Sequence, residues 1–295
     1  MGKQVTELDT LPSFTDTSLL PVHNGAGLKK GLLSQLADYI GTKFSNPNLL
    51  INPDLLINQR GKNTYDSQYS VDRWKIYNAL YNVSTKNLSN PNSSDGNFVQ
   101  TFENPLNGTY TITVHCSSVT GKANFTWGGE SVIVKEEVGD LKEGNNIVTI
   151  KATDLRFIGV LVKPGASVII DYIKLEQGSI ATPFVAPNPA EELEKCLRFS
   201  RYIPIIYCVP SRRYVGDISN AGAYYLPLGC VFETKLRVKG TITLKGGIFD
   251  NAGSNLGSVR EIDYSTDEIR TVIMSQEMTP WTIVVKQVFI DAEIY

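Results

Sequence analysis

Apolar and polar residues alternate with the two-residue period of strands along most of this chain, and helical spacing takes over in two short stretches. From Thr109 to Cys116 the residues Tyr110, Ile112, Val114 and Cys116 fall on one face. Runs of the same character follow at 123–127, 131–135, 146–151, 157–162 and 167–175. Past position 200 they recur at 202–209, 224–232, 235–244, 261–264, 269–274 and 281–295. Short strands separated by turn residues at this spacing predict β-sandwiches. The first helical stretch, over 31–43, brings Leu32, Leu33, Leu36, Ala37 and Ile40 to one side. The second, Pro189–Arg201, has Asn188 for its N-cap, Pro189 at the first position, and Glu191 and Glu192 at the positive end of the dipole. Its stripe is Leu193, Cys196 and Leu197.

Breaks in the pattern divide the chain into three units. Before the first helix, 5–8 and 19–22 read as strands, and Asn24–Gly27 as a turn leading into a hairpin partner at 28–30. About forty residues with one amphipathic helix bury little surface alone, so the stripe of Leu32, Leu33, Leu36 and Ile40 needs a partner outside its own unit. Ser45-Asn46-Pro47 marks one boundary and 185–189 the other, giving units at 1–47, 48–187 and 188–295. The fold expected is mainly β: a small N-terminal α/β anchor, a central sandwich, a short helix and a C-terminal sandwich. Within the central unit, strands are expected at 48–52 and 71–74, with a second apolar run at 55–57 and an exposed Asn/Ser/Pro-rich loop at 85–97.

Composition narrows the function. Charged residues make up 20% and the net charge is −2, which argues against nucleic-acid binding. No apolar run approaches the ~18 residues of a membrane span, and the first ten residues lack a signal-peptide pattern. Gly2 and Thr6 match a myristoylation consensus too short to weigh. The four cysteines form no CxxC pair and read as free, buried thiols. Sequons at Asn82, Asn87, Asn92, Asn107 and Asn124 read as exposed polar turns.

No constellation selects a catalytic residue or a cofactor. Gly25-x-Gly27-x-x-x-Gly31 misses the dinucleotide spacing and no βαβ unit follows. His23 and His115 are far apart, and the adjacent His115 and Cys116 leave opposite faces of a strand. The carboxylates at 136, 137, 140, 261, 263 and 267 sit in turn-like clusters. Exposed aromatic faces are what a sugar ring packs on, and Trp127, Tyr224, and Tyr214 beside Arg212 and Arg213 are the candidate contacts. For Trp74, Trp127 and Trp281 the alternative is burial in a core or between subunits.

The order Asn48-Leu-Leu-Ile-Asn52, Ile57-Asn-Gln-Arg-Gly61, Val71-Asp-Arg-Trp74 resembles the opening of a β-sandwich module in bacteriophage and prophage tail-fibre proteins. It is similar, more distantly, to jelly-roll carbohydrate-binding modules. The strand Val168–Glu176, the tail Gly178–Phe184 and the helix around Ala190–Phe199 extend the resemblance. It implies a homotrimeric receptor-binding protein of the virion, made in the host cytoplasm and without catalysis. Leu32, Leu33, Leu36 and Ile40 would dock the N-terminal region to other virion proteins. Residues 48–187 would be a spacer, Leu193, Cys196 and Leu197 would line the trimer axis, and 188–295 would touch a host glycan or protein. Such modules often hold calcium, for which Asp171 is the candidate. Two alternatives stand beside this: a purely structural virion component, and a bacterial carbohydrate-binding module.

Overall fold

The structure is a computed structural model, and it describes residues 19–23, 28–32, 36, 45–129, 133–134, 139–208, 224–231, 236–237, 241–250, 259–264, 268–274 and 283–293. The chain is mainly β. β1 (Leu19–His23) and β2 (Leu28–Leu32) form the expected antiparallel hairpin, with Leu19 opposite Leu32. The strand therefore runs through Gly31 and Leu32, which the sequence pattern assigns to a helix. Leu36 is helical and 43% exposed; Leu33 and Ile40 lie outside the described residues, as does the expected strand at 5–8.

The central sheet contains β3 (Thr64–Asp66), β4 (Lys75–Tyr77), β5 (Leu80–Asn82), β6 (Asn87–Ser89), β7 (Gly96–Thr120), β8 (Ala123–Gly128), β9 (Ile133–Val134), β10 (Gly144–Val162) and β11 (Ser167–Gln177). Two of these are long, and both change partners midway. The first part of β7 pairs with β4 and with the last part of β10, which also carries β8. Its second part pairs with β11 and with the first part of β10. Between them the β7–β10 register slips twice, around Ala152–Phe157. Bulges bend strands, and here the bend folds one sheet into two facing halves, a β-sandwich. Phe98, Phe125, Ile158 and Val160 from one half meet Ile112, Val114, Cys116, Ile170 and Leu175 from the other in a single core. The face predicted for Tyr110, Ile112, Val114 and Cys116 is the buried one.

The opening stretch is not built from strands, contrary to expectation. Residues 48–52 and 71–74 form bends and turns, and Asn52, Leu55 and Arg73 have φ of 54°, 62° and 74°. Left-handed backbone is uncommon for such side chains and persists only where the surroundings fix it. Asn52, fully buried, supplies that: its amide bonds the Ile57 N–H and the carbonyls of Ile57 and Asp72, and its own carbonyl accepts from Trp74 Nε1 at 2.8 Å. Trp74 stacks on Phe98 with centroids 4.9 Å apart, and Tyr81 stacks on Phe98 at the same separation. The expected exposed loop at 85–97 contains β6, whose Leu88 is in the core.

The chain enters and leaves this sandwich at one place. Lys174, buried on β11, donates to Ser45 Oγ, to Thr182 Oγ1 and to the carbonyls of Thr182 and Pro183, and pairs with Glu176 at 3.2 Å. Asn46 N donates to Thr182 Oγ1 at 2.8 Å. The two ends of the sandwich unit thus share one ammonium.

Helix α1 (Pro189–Leu197) has the predicted cap: Asn188 Oδ1 accepts from Ala190 N at 2.9 Å. It leads into two three-stranded antiparallel sheets. One orders β12 (Ser200–Cys208), β17 (Ile283–Asp291) and β14 (Thr241–Asp250); the other orders β13 (Tyr224–Val231), β16 (Glu268–Met274) and β15 (Val259–Tyr264).

Candidate binding cleft

On β7, Phe98 and Gln100 point into the core, so Asn97, Val99 and Thr101 share the opposite face. Tyr77 is the β4 partner of Asn97, Gly159 the β10 partner of Val99, and Phe157 the β10 partner of Thr101. Tyr77, Asn97, Val99, Thr101 and Phe157 line a cleft of about 350 Å³, within the size range of small-ligand sites. Glycine is required at 159, opposite Val99, because a Cβ there would collide with the Phe98 carbonyl. Tyr77 is 45% exposed, and the Lys75 ammonium lies 4.8 Å from its ring centroid. The Asn97 Oδ1 atom is buried and finds no hydrogen-bond donor among the described residues. The site thus offers two aromatic side chains and the side chain of a threonine. That set suits a molecule with an apolar face and hydroxyl groups at its edge.

An ion network lies beside the cleft. Arg60 contacts Asp72 at 3.5 Å, Asp291 at 3.1 Å and Glu293 at 3.6 Å, and Arg73 pairs with Glu293 at 2.5 Å. Burial pushes the Asp72 carboxyl up to about 7, against the attraction of Arg60 and the hydrogen bonds from Gln59. For Arg60, burial acts downward but Glu293, Asp291 and Asp72 together outweigh it and raise the guanidinium further. Glu192 of α1 is buried here too, accepting from Asn52 N at 2.6 Å and from Lys195 at 2.9 Å.

The residues singled out from sequence are scattered. Trp127 is only 9% exposed and belongs to the sandwich core, so its ring is not a platform for a ligand. Arg212, Arg213 and Tyr214 lie outside the described residues, as does Trp281; Tyr224 lies in β13 with its side chain outside them. Cys196 packs inside the chain itself, where burial and the carboxylates of Asp72, Glu192 and Glu293 raise its thiol. Leu193 is 37% exposed, and with Leu197 and Tyr202 it borders an open groove beside Asn58–Gly61. Of the predicted stripe only Cys196 is fully buried, and Glu192 is buried beside it. Asn124, expected in an exposed turn, is buried in β8.

Asp171 is engaged by protein groups: Oδ2 lies 2.8 Å from His115 Nδ1 and Oδ1 accepts from Ser117 Oγ at 3.3 Å. Among the described residues no cluster of three or more His, Cys, Asp or Glu has metal-binding geometry. The order serine–aspartate–histidine also differs from a catalytic triad, in which the histidine contacts the nucleophile. Sequence reasoning missed Tyr77, Asn97 and Phe157, because their juxtaposition depends on two strand pairings, Tyr77 with Asn97 and Thr101 with Phe157, that the local pattern does not reveal.

No protein family matches the chain, and no curated protein matches it significantly. Among solved structures, the native structure of recombinant discoidin II of Dictyostelium discoideum aligns with a TM-score of 0.20 at 10% identity. The alignment covers 70% of this chain and 81% of that one. At that score the likeness carries no argument.

Proposed function

We propose that the chain is a non-catalytic binding component of a bacteriophage virion appendage, of the tail-fibre type, that holds a host-surface glycan in the Tyr77–Phe157 cleft. The observation that carries the glycan assignment is the pair of aromatic side chains, Tyr77 and Phe157, that line one cleft together with Thr101. The C–H face of a sugar ring packs on an aromatic while its hydroxyls bond polar groups at the edge. The appendage assignment comes from the ordered resemblance of the opening stretch, the closing strand and the helix to tail-fibre proteins. In this reading the N-terminal region attaches to other virion proteins, the chain is a homotrimer, and threefold presentation turns weak single-site contacts into avidity.

The test is binding of the full chain to an array of immobilised glycans, with Tyr77→Ala as control. We expect specific retention that Tyr77→Ala lowers about tenfold or more, with unchanged thermal stability because the ring is half exposed. No bound glycan, or equal binding by the variant, would sink the cleft assignment. A second reading, a monomeric carbohydrate-binding module, is favoured by the burial of Cys196 within its own chain. Light scattering separates the two: a mass of one chain, 32.6 kDa, selects the monomer, and three times that selects the fibre.

A further inference from the structure

Arg73 joins the cleft to a residue more than two hundred positions away. Its Nη2 donates to the Thr101 carbonyl at 2.6 Å, and Thr101 lines the cleft. Its Nη1 and its backbone N–H both donate to the Glu293 carboxylate, at 2.5 and 3.0 Å. The guanidinium lies 3.7 Å from the ring centroid of Phe199, just before β12. Its backbone is left-handed, with φ at 74°, a conformation that needs outside support, and Glu293 grips both its amide and its side chain.

We infer that docking of Glu293 onto Arg73 regulates the cleft, by fixing the Thr101 end of its β7 wall. This rests on the cleft reading above and adds the control of that site. The guanidinium is the planar fork needed to hold a carboxylate and a carbonyl at once. Without Glu293, Arg73 loses its closest counter-charge and the support for its turn. Thr101 then loses its tether beside Phe157, at the point where the β7–β10 register begins to slip. Arg73 acts as a positioning residue, since it contacts the cleft wall from behind.

Hydrogen–deuterium exchange on the ligand-free full chain tests this, comparing wild type with Glu293→Gln and Arg73→Lys. The second variant keeps the charge facing Glu293 but lacks the fork. We expect exchange of the 96–101 amides to rise about tenfold in both, with 167–175 unchanged, and affinity for the best-bound array glycan to fall about five- to tenfold. Unaltered exchange at 96–101 in both variants overturns the coupling, whatever the cleft binds. A rise spread equally over 167–175 also overturns it, because Glu293 would then serve general stability. Faster exchange at 96–101 in a chain that binds no array glycan keeps the coupling and removes the ligand assignment.

Discussion

Replacing Asp72 by asparagine should abolish a pH dependence that its burial creates. The carboxylate is fully buried; Gln59 donates to it through Nε2 at 2.6 Å and through its backbone N at 3.2 Å, and its cation, Arg60, is 3.5 Å away. Burial raises the group from 3.8 to about 7 in the folded chain. Between those values the folded state keeps a proton that the unfolded state has released. The native state therefore binds more protons in that window, and stability falls as pH rises through it, levelling off above the folded value. At about 1.4 kcal/mol for each pH unit, the whole window is worth at most roughly 4 kcal/mol. Asp72→Asn is close in shape but cannot ionise. It turns one Gln59 hydrogen bond into a donor–donor contact, costing about 1 kcal/mol at any pH. Urea unfolding followed by tryptophan fluorescence, from about pH 5 to about pH 8, gives the comparison. The wild type should lose roughly 2–3 kcal/mol relative to the variant across that range, the variant being the weaker at low pH and the equal or stronger at high pH. Parallel curves for the two proteins would refute the reasoning.

Two further predictions concern the sandwich. Lys174→Met leaves Glu176 buried without its cation and releases four acceptors at the ends of the sandwich unit, so a loss of about 3–5 kcal/mol is expected by calorimetry; a change below about 1 kcal/mol would show the clasp to be energetically idle. Trp74→Ala removes the ring stacked on Phe98 and the donor to Asn52 O, with an expected cost of about 3–5 kcal/mol in circular-dichroism melts. A near-native melt would mean that the opening stretch does not anchor the core.

What the sequence discloses is what one strand or helix determines alone. The alternation from Tyr110 to Cys116 is readable because one side faces the core, and the Asn188–Pro189 cap because its chemistry lies within three residues. The stretches 48–52 and 71–74 mislead because an apolar run reads as a strand unless something reveals left-handed backbone. Here that something is the Asn52 amide reaching Ile57 and Asp72, a tertiary contact. Trp127 misleads in another way: beside a Gly-Gly turn it reads as exposed, whereas its antiparallel partner Ile158 is wholly buried and carries it to the inner face. The cleft is beyond reach for the same kind of reason. Tyr77, Asn97 and Phe157 meet only once β7 is paired on both sides.

The two halves of the sandwich share the opening stretch but differ in their other ties, and this makes the cleft's dependence on Glu293 physically reasonable. The half containing β11 is closed by Lys174 onto Ser45 and Thr182, and by Asn48, whose side chain bonds Ile173 O and Leu175 N. The half containing β4 and the cleft is held elsewhere. Gln100, one residue before Thr101, exchanges two hydrogen bonds with the backbone of Ile51, and Asn52 N next to it donates to Glu192 of α1. Arg73 and Arg60 add Glu293 and Asp291. A disturbance at the clasp reaches the cleft through the core, the bent strands β7 and β10, or the opening segment from Asn48 to Ile51. One at Glu293 needs a single side chain. Close-packed cores resist continuous deformation, so the shorter, polar route through Arg73 is the one along which the cleft would respond.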